Sequence, residues 1–88
     1  QMSKITKIKD KLYKEPPPTD FTWDELRTLL LNLGFNEKQG NGSRVKFEHS
    51  SLDFPISIHK PHPQNTLKRY VIIQIKTALD ELYALLGN

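Results

Sequence analysis

Arg44-Val45-Lys46-Phe47-Glu48 and Phe54-Pro55-Ile56-Ser57-Ile58-His59 are the two runs whose reading decides the fold. Both alternate apolar and polar residues with a period of two, which marks half-buried β-strands. Val45 and Phe47 share a face of the first run; Phe54, Ile56 and Ile58 share a face of the second. Ser50-Ser51-Leu52-Asp53 reads as the loop between them. If that loop closes a hairpin, position 49 pairs with 54, Val45 faces Ile58 and Phe47 faces Ile56. On the opposite face Arg44 lies across from His59, and Lys46 across from Ser57. One face is then packed and the other polar, as in many antiparallel sheets. A slip of one residue would send each side chain to the wrong face. Pro55 has no amide hydrogen, so it belongs at a strand start or an edge.

Upstream, Gln39-Gly40-Asn41-Gly42-Ser43 has turn chemistry, and Phe35-Asn36-Glu37-Lys38 forms a short strand before it. The helix before that is signposted at both ends. Thr22-Trp23-Asp24-Glu25 is a capping box, with Phe21 and Leu26 placed as a hydrophobic staple. Leu26, Leu29, Leu30 and Leu33 make its apolar stripe, and Trp23 and Leu31 fall off that stripe or at its edge. Gly34 suits the left-handed turn that ends it. Residues 3–15 form a further helix, with Ile5, Ile8 and Leu12 on one face and lysines on the others. Pro16-Pro17-Pro18 stops that helix and acts as a stiff spacer. It is the segment expected at the periphery.

Downstream, residues 67–86 form the longest helix. Its stripe is Ile72, Ile75, Leu79, Leu82 and Leu86, widened by Val71, Ala78 and Leu85. Gly87 ends it, and Asn65 or Thr66 supplies its cap. Tyr70, after the basic pair, could stack on a base or pack at the helix edge, and the core is its expected place. The order helix, helix, strands, helix gives an α+β fold with the second and last helices on one face of a small antiparallel sheet.

The chain has 88 residues, enough for one domain with one core. It has no cysteine, so it forms neither a disulfide framework nor a thiolate zinc site, which suits a reducing compartment. No apolar run reaches the roughly 20 residues that span a bilayer. Gln1 before Met2 reads as a cloning remnant. Lys and Arg number 13 against 10 for Asp and Glu, a small excess whose distribution matters more than its size.

The excess gathers where the second strand meets the last helix. From Lys60 to Arg69 there is no acid. Helix N-termini ordinarily collect acids because their free amides carry partial positive charge. Here Lys68 and Arg69 stand at that end, with Lys60 close by, and a bound phosphate would turn a misplaced charge into a favourable one. His59 and His62 adjoin this field. Cleavage of RNA without a metal requires a base for the ribose 2′-hydroxyl, a cation for the phosphate and an acid for the leaving oxygen. His59, Arg44 or Lys68, and His62 are the side chains for those roles. The same stretch reads equally as a turn in which one histidine caps backbone groups and the other is exposed. Without a carboxylate it has no metal-ligand character, and His49 is assigned no role.

Several motifs together resemble the HicA toxins of bacterial toxin–antitoxin systems. They are Thr22-Trp23-Asp24-Glu25-Leu26, Leu33-Gly34-Phe35, Gly42-Ser43-Arg44-Val45-Lys46-Phe47, Ile58-His59-Lys60-Pro61-His62-Pro63 and Leu67-Lys68-Arg69-Tyr70. The similarity covers roughly residues 20–85. It implies a fold like the double-stranded-RNA-binding domain, a three-stranded antiparallel sheet on two helices, with an extra N-terminal helix. On this reading residues 1–18 are that helix and a proline-rich linker, and residues 19–88 are the HicA-like domain. The resemblance implies a metal-independent mRNA endoribonuclease that inhibits translation, acts in the cytoplasm in stress response, needs no cofactor and is silenced by a HicB-like antitoxin. His59 and His62 would be catalytic, with Arg44, Lys46, Lys60, Lys68 and Arg69 holding RNA phosphates. The family motif Gly-Ser-x-His places a histidine where this chain has Val45. Either His59 or His62 takes over, or the chain is a non-catalytic RNA-binding module of the same fold. A protein–protein interaction domain using Leu31, Trp23 and the lysine helix is a third possibility.

Overall fold

The computed structural model describes residues 4–62 and 64–86. Ser3, Pro63 and the helix stop at Gly87 lie outside the described residues. The elements run α1 (Lys4–Leu12), α2 (Trp23–Asn32), β1 (Asn36–Gln39), β2 (Arg44–Glu48), β3 (Ile56–His59) and α3 (Arg69–Leu85). The strands form one antiparallel sheet in the order β1-β2-β3.

The β2–β3 register is the one that parity demands. Val45 pairs with Ile58, Phe47 with Ile56, Arg44 with His59 and Lys46 with Ser57. The first four of these residues are buried and the other four exposed, so alternation translates directly into an inner and an outer face. β3 is shorter than its apolar pattern. It starts at Ile56, and Phe54, expected on the inner face, is 44% exposed. The loop tightens before it, where the Leu52 amide donates to the His49 carbonyl at 3.0 Å. Pro55 then offers no donor to extend the ladder.

α2 begins and ends as its sequence requires. The Thr22 hydroxyl accepts from the Glu25 amide at 3.1 Å, and the Glu25 carboxylate accepts from the Thr22 amide at 3.0 Å. Phe21 and Leu26 are buried at that end. At the other end Gly34 has φ +99°, a conformation that disfavours any side chain. The Phe35 amide reaches back to the Leu30 carbonyl at 3.0 Å and the Gly34 amide to Leu31 at 3.2 Å, which closes a Schellman turn. His49 braces this corner: its Nδ1 accepts from the Ser51 amide at 3.0 Å, so Nε2 carries the proton and donates to the Leu33 carbonyl at 3.2 Å. Trp23 is buried and meets Phe47 with ring centroids 5.9 Å apart, which joins α2 to the sheet rather than to a partner.

α3 starts two residues later than its periodicity suggests. Neither Asn65 nor Thr66 caps it. Thr66 forms an antiparallel bridge with Thr22, the Trp23 amide donates to the Asn65 carbonyl at 2.7 Å, and the Leu67 amide donates to the Phe21 carbonyl at 2.8 Å. Those three residues are held extended against the start of α2, so the helix can begin only at Arg69, with Lys68 as its N-cap. Val71, Ile72, Ile75, Ala78, Leu79 and Leu82 are buried, whereas Leu85 and Leu86 are exposed.

α1 is not peripheral. Ile8 and Leu12 enter the same core as α2, α3 and the sheet. Its polar face is tied down as well. Lys11 bonds the Glu25 carboxylate at 3.0 Å, Lys9 stands 4.3 Å from the Tyr83 ring centroid, and the Tyr13 hydroxyl donates to Asp80 at 3.0 Å. Partial burial and the Asp80 carboxylate push the Tyr13 phenol well above its ordinary range. Just past the helix, Lys76 pairs with Glu15 at 2.9 Å. These contacts engage the C-terminal half of α3 and leave its start free.

Candidate functional site

The start of α3, the end of β3 and the segment between them enclose a cleft of about 370 Å³. Its polar walls come from His59, Lys60, His62 and Lys68, and Leu67 and Val71 contribute buried apolar surface. Among the described residues no acidic side chain lines it. The strand delivers His59, because outer-face parity at the last rung puts it across from Arg44. The helix delivers Lys68, because the bridge between 65–67 and 21–23 fixes where the helix starts.

The cations around the cleft differ from those that tie the elements together, and among the described residues they share the lack of an ion pair with Lys4, Lys7 and Lys14. Lys11, Arg27, Lys38 and Lys76 all pair with carboxylates. Among the described residues, Arg44, Lys46, Lys60, Lys68 and Arg69 form no ion pair. Lys68 makes no side-chain cap, and the Arg69 and Tyr70 amides find no acceptor among the described residues. Positive side chains therefore sit at an end of the helix that is already positive. The arrangement opposes itself unless an anion arrives.

Among the described residues His59 has one side-chain polar contact: Nδ1 lies 3.4 Å from the Ser43 hydroxyl. The Ser43 hydroxyl can donate or accept at Nδ1, and among the described residues no hydrogen bond occupies Nε2. The Lys60 amide donates to the Ser43 carbonyl at 2.8 Å, so the ladder runs one rung past β3 and fixes Ser43 beside the ring. Strand parity ends at this turn, so only the extended register shows where Ser43 lies. His62 is exposed on the cleft wall.

The residues expected at the site divide into two groups. His59, Lys60, His62 and Lys68 line the cleft together. Arg44 flanks it on the outer face beside His59, and Lys46 lies two residues farther along β2 on that face. Arg69 is exposed next to Lys68 without lining the cleft. Tyr70, expected in the core, is 66% exposed and lines the cleft. At about 100° per residue Tyr70 lies on the side of α3 away from the stripe of Ile72, Ile75 and Leu79, a phase that the spacing itself carries. Val45, where the family motif has histidine, is 2% exposed and faces inward, so the outward side chain at this corner is Arg44.

The family described as HicA toxin of bacterial toxin–antitoxin matches residues 23–80, from the first residue of α2 to the last turns of α3. The chain belongs to the HicA toxin family. No curated protein and no solved structure matches it. The order α2-β1-β2-β3-α3 within the matched span is the α+β arrangement expected of a HicA domain. As a HicA toxin it belongs to a two-component system in which an antitoxin is its partner. Among the described residues no helix is long and apolar enough to cross a membrane.

Proposed function

We propose that this HicA toxin is a metal-independent endoribonuclease that cuts mRNA in the cytoplasm, with the cleft at the start of α3 as its site. The observation that carries this reading is the meeting of two histidines with unpaired cations in one acid-free cleft. His59 Nε2 takes the proton of a ribose 2′-hydroxyl. The freed oxygen attacks phosphorus, and the bond to the 5′-oxygen breaks. His62 gives that oxygen its proton, so the products are a 2′,3′-cyclic phosphate and a 5′-hydroxyl. Lys68 and Arg44 hold the phosphate while its charge grows. Lys60, Arg69 and Lys46 extend the positive track along the strand being cut. The cations around the histidines favour an anionic substrate over a metal ion, so the roles fall to side chains alone.

Ser43 orients His59 through Nδ1 and is a positioning residue. Residues 19–88 carry the function. Lys9, Tyr13 and Glu15 brace α3 from Lys76 to Tyr83, and the site needs the N-terminal segment only as a support.

A second reading is favoured by the inward-facing Val45 in place of the family's histidine: an RNA-binding module that cuts little or nothing. Purified protein, RNA and a chelator separate the two. The nuclease reading expects cutting with a 2′,3′-cyclic phosphate end, and expects His59→Ala to lose cutting while keeping RNA affinity. RNA bound but left intact by wild type would give the site to the binding module.

A further inference from the structure

We propose that Tyr70 and Ile73 form a shelf on which one unpaired RNA base stacks at the mouth of the cleft, so that the substrate is single-stranded rather than duplex RNA. This rests on the assignment of the cleft to RNA. Tyr70 is 66% and Ile73 48% exposed, and three residues apart on a helix they share one face. Tyr13 gives its hydroxyl to Asp80, and the Tyr83 ring carries the Lys9 ammonium. Among the described residues Tyr70 has neither a hydrogen bond nor a ring contact. Its ring is therefore held out by the helix with nothing on it, at the edge of a cleft walled by His59, Lys60 and Lys68.

A nucleotide presents a charged phosphate and a flat apolar base, and the cleft offers a match for each. Its lining holds the cations Lys60 and Lys68 together with Tyr70 and the buried Leu67 and Val71. At about 370 Å³ the space lies at the small end of the ~300–1,000 Å³ typical of ligand clefts, which suits one nucleotide and not a helix. Bases inside a duplex already stack on each other, and double-stranded RNA shows a protein its backbone and shape. Only a splayed base can lie on a tyrosine. Attack by the 2′-oxygen in line with the leaving oxygen also requires a nucleotide released from regular helical geometry, so stacking and cleavage ask for the same unpaired strand.

The test is binding of a 2′-O-methyl RNA oligonucleotide, which cannot be cut, to wild type, Tyr70→Ala and Tyr70→Phe over a range of salt. Tyr70→Ala is expected to bind about tenfold more weakly at every salt concentration. Its salt slope should be unchanged, because no cation is lost. Tyr70→Phe should retain the wild-type affinity. A strand of the same length without bases, and a fully paired hairpin, should bind wild type and Tyr70→Ala alike. Equal affinity of Tyr70→Ala and wild type for the single strand overturns the shelf and leaves that face to a protein partner. An equal loss on the hairpin overturns the single-strand preference. Wild type that binds no RNA removes the reading of the cleft itself, and the shelf with it.

Discussion

Two helices of this HicA domain start side by side, tied by the bridge between Thr22 and Thr66, and they start in opposite ways. At α2 the Trp23, Glu25 and Leu26 amides all find acceptors, Asp24 and Glu25 stand in the first turn, and Lys11 neutralises Glu25. At α3 no side chain caps the end, no acid stands in the first turn, and Lys68 and Arg69 add charge of the same sign as the helix end. The contrast is already in the sequence, since Asp20, Asp24 and Glu25 surround the start of α2 whereas no acid stands between Asp53 and Asp80 around that of α3. It teaches that one helix start is closed by folding and the other is left open, as the proposed phosphate-binding role requires. The first is a structural device; the second costs some stability, which a bound phosphate would offset.

The largest expected effect breaks the closed start. Glu25→Ala removes an acceptor for the Thr22 amide and a partner for Lys11, and should lower the free energy of unfolding by about 2 kcal/mol. Urea denaturation measures it, and a loss below ~0.5 kcal/mol would mean that α2 is held by packing alone. Thr22→Ala should cost about 1 kcal/mol, the usual value of an N-cap.

Acid provides a finer probe of the same end. Partial burial pushes the Glu25 carboxyl up, but the Thr22 amide and Lys11 outweigh it and hold the carboxyl below its ordinary value of 4.5. A lowered folded value adds stability that is fully present above the unfolded value and disappears as pH falls through the folded one. Unfolding midpoints of wild type should therefore fall on acidification through and below pH 4.5, and Glu25→Gln should flatten that decline. The smallest effect belongs to the open start. Lys68→Ala should gain ~0.3–1 kcal/mol in folding stability and make the salt dependence of single-stranded RNA binding shallower by about 0.7. A stability loss in that variant would erase the difference between the two ends.

Local chemistry was legible in the sequence wherever a few neighbouring residues settle the outcome. The capping box at Thr22, the left-handed Gly34 and the period-two alternation of Val45, Phe47, Ile56 and Ile58 all have their causes within a few positions. Alternation also delivered His59 to Arg44 across the hairpin. What escaped depends on distant contacts. The start of α3 is set by residues 65–67 pairing with 21–23, more than forty positions upstream. The docking of α1 depends on Tyr83, Asp80 and Lys76 at the far end of the chain. At the candidate site the charges could be read from the sequence. That these cations form no ion pair among the described residues, while Lys11, Arg27, Lys38 and Lys76 do, could be seen only in three dimensions.

The central claim is that the positive start of α3 is kept for a phosphate-bearing ligand against the interest of folding. Lys68→Asp tests it most directly, since aspartate is a good N-cap and carries the charge that a helix start prefers. Thermal unfolding of wild type and variant, each with and without a single-stranded RNA oligonucleotide at saturating concentration, measures both halves together. The account predicts that the free variant melts higher than free wild type, by ~4–8 °C for each kcal/mol gained. It also predicts that RNA raises the midpoint of wild type and leaves that of the variant nearly unmoved. A free variant that melts no higher than wild type, or an equal rise of both with RNA, would contradict it.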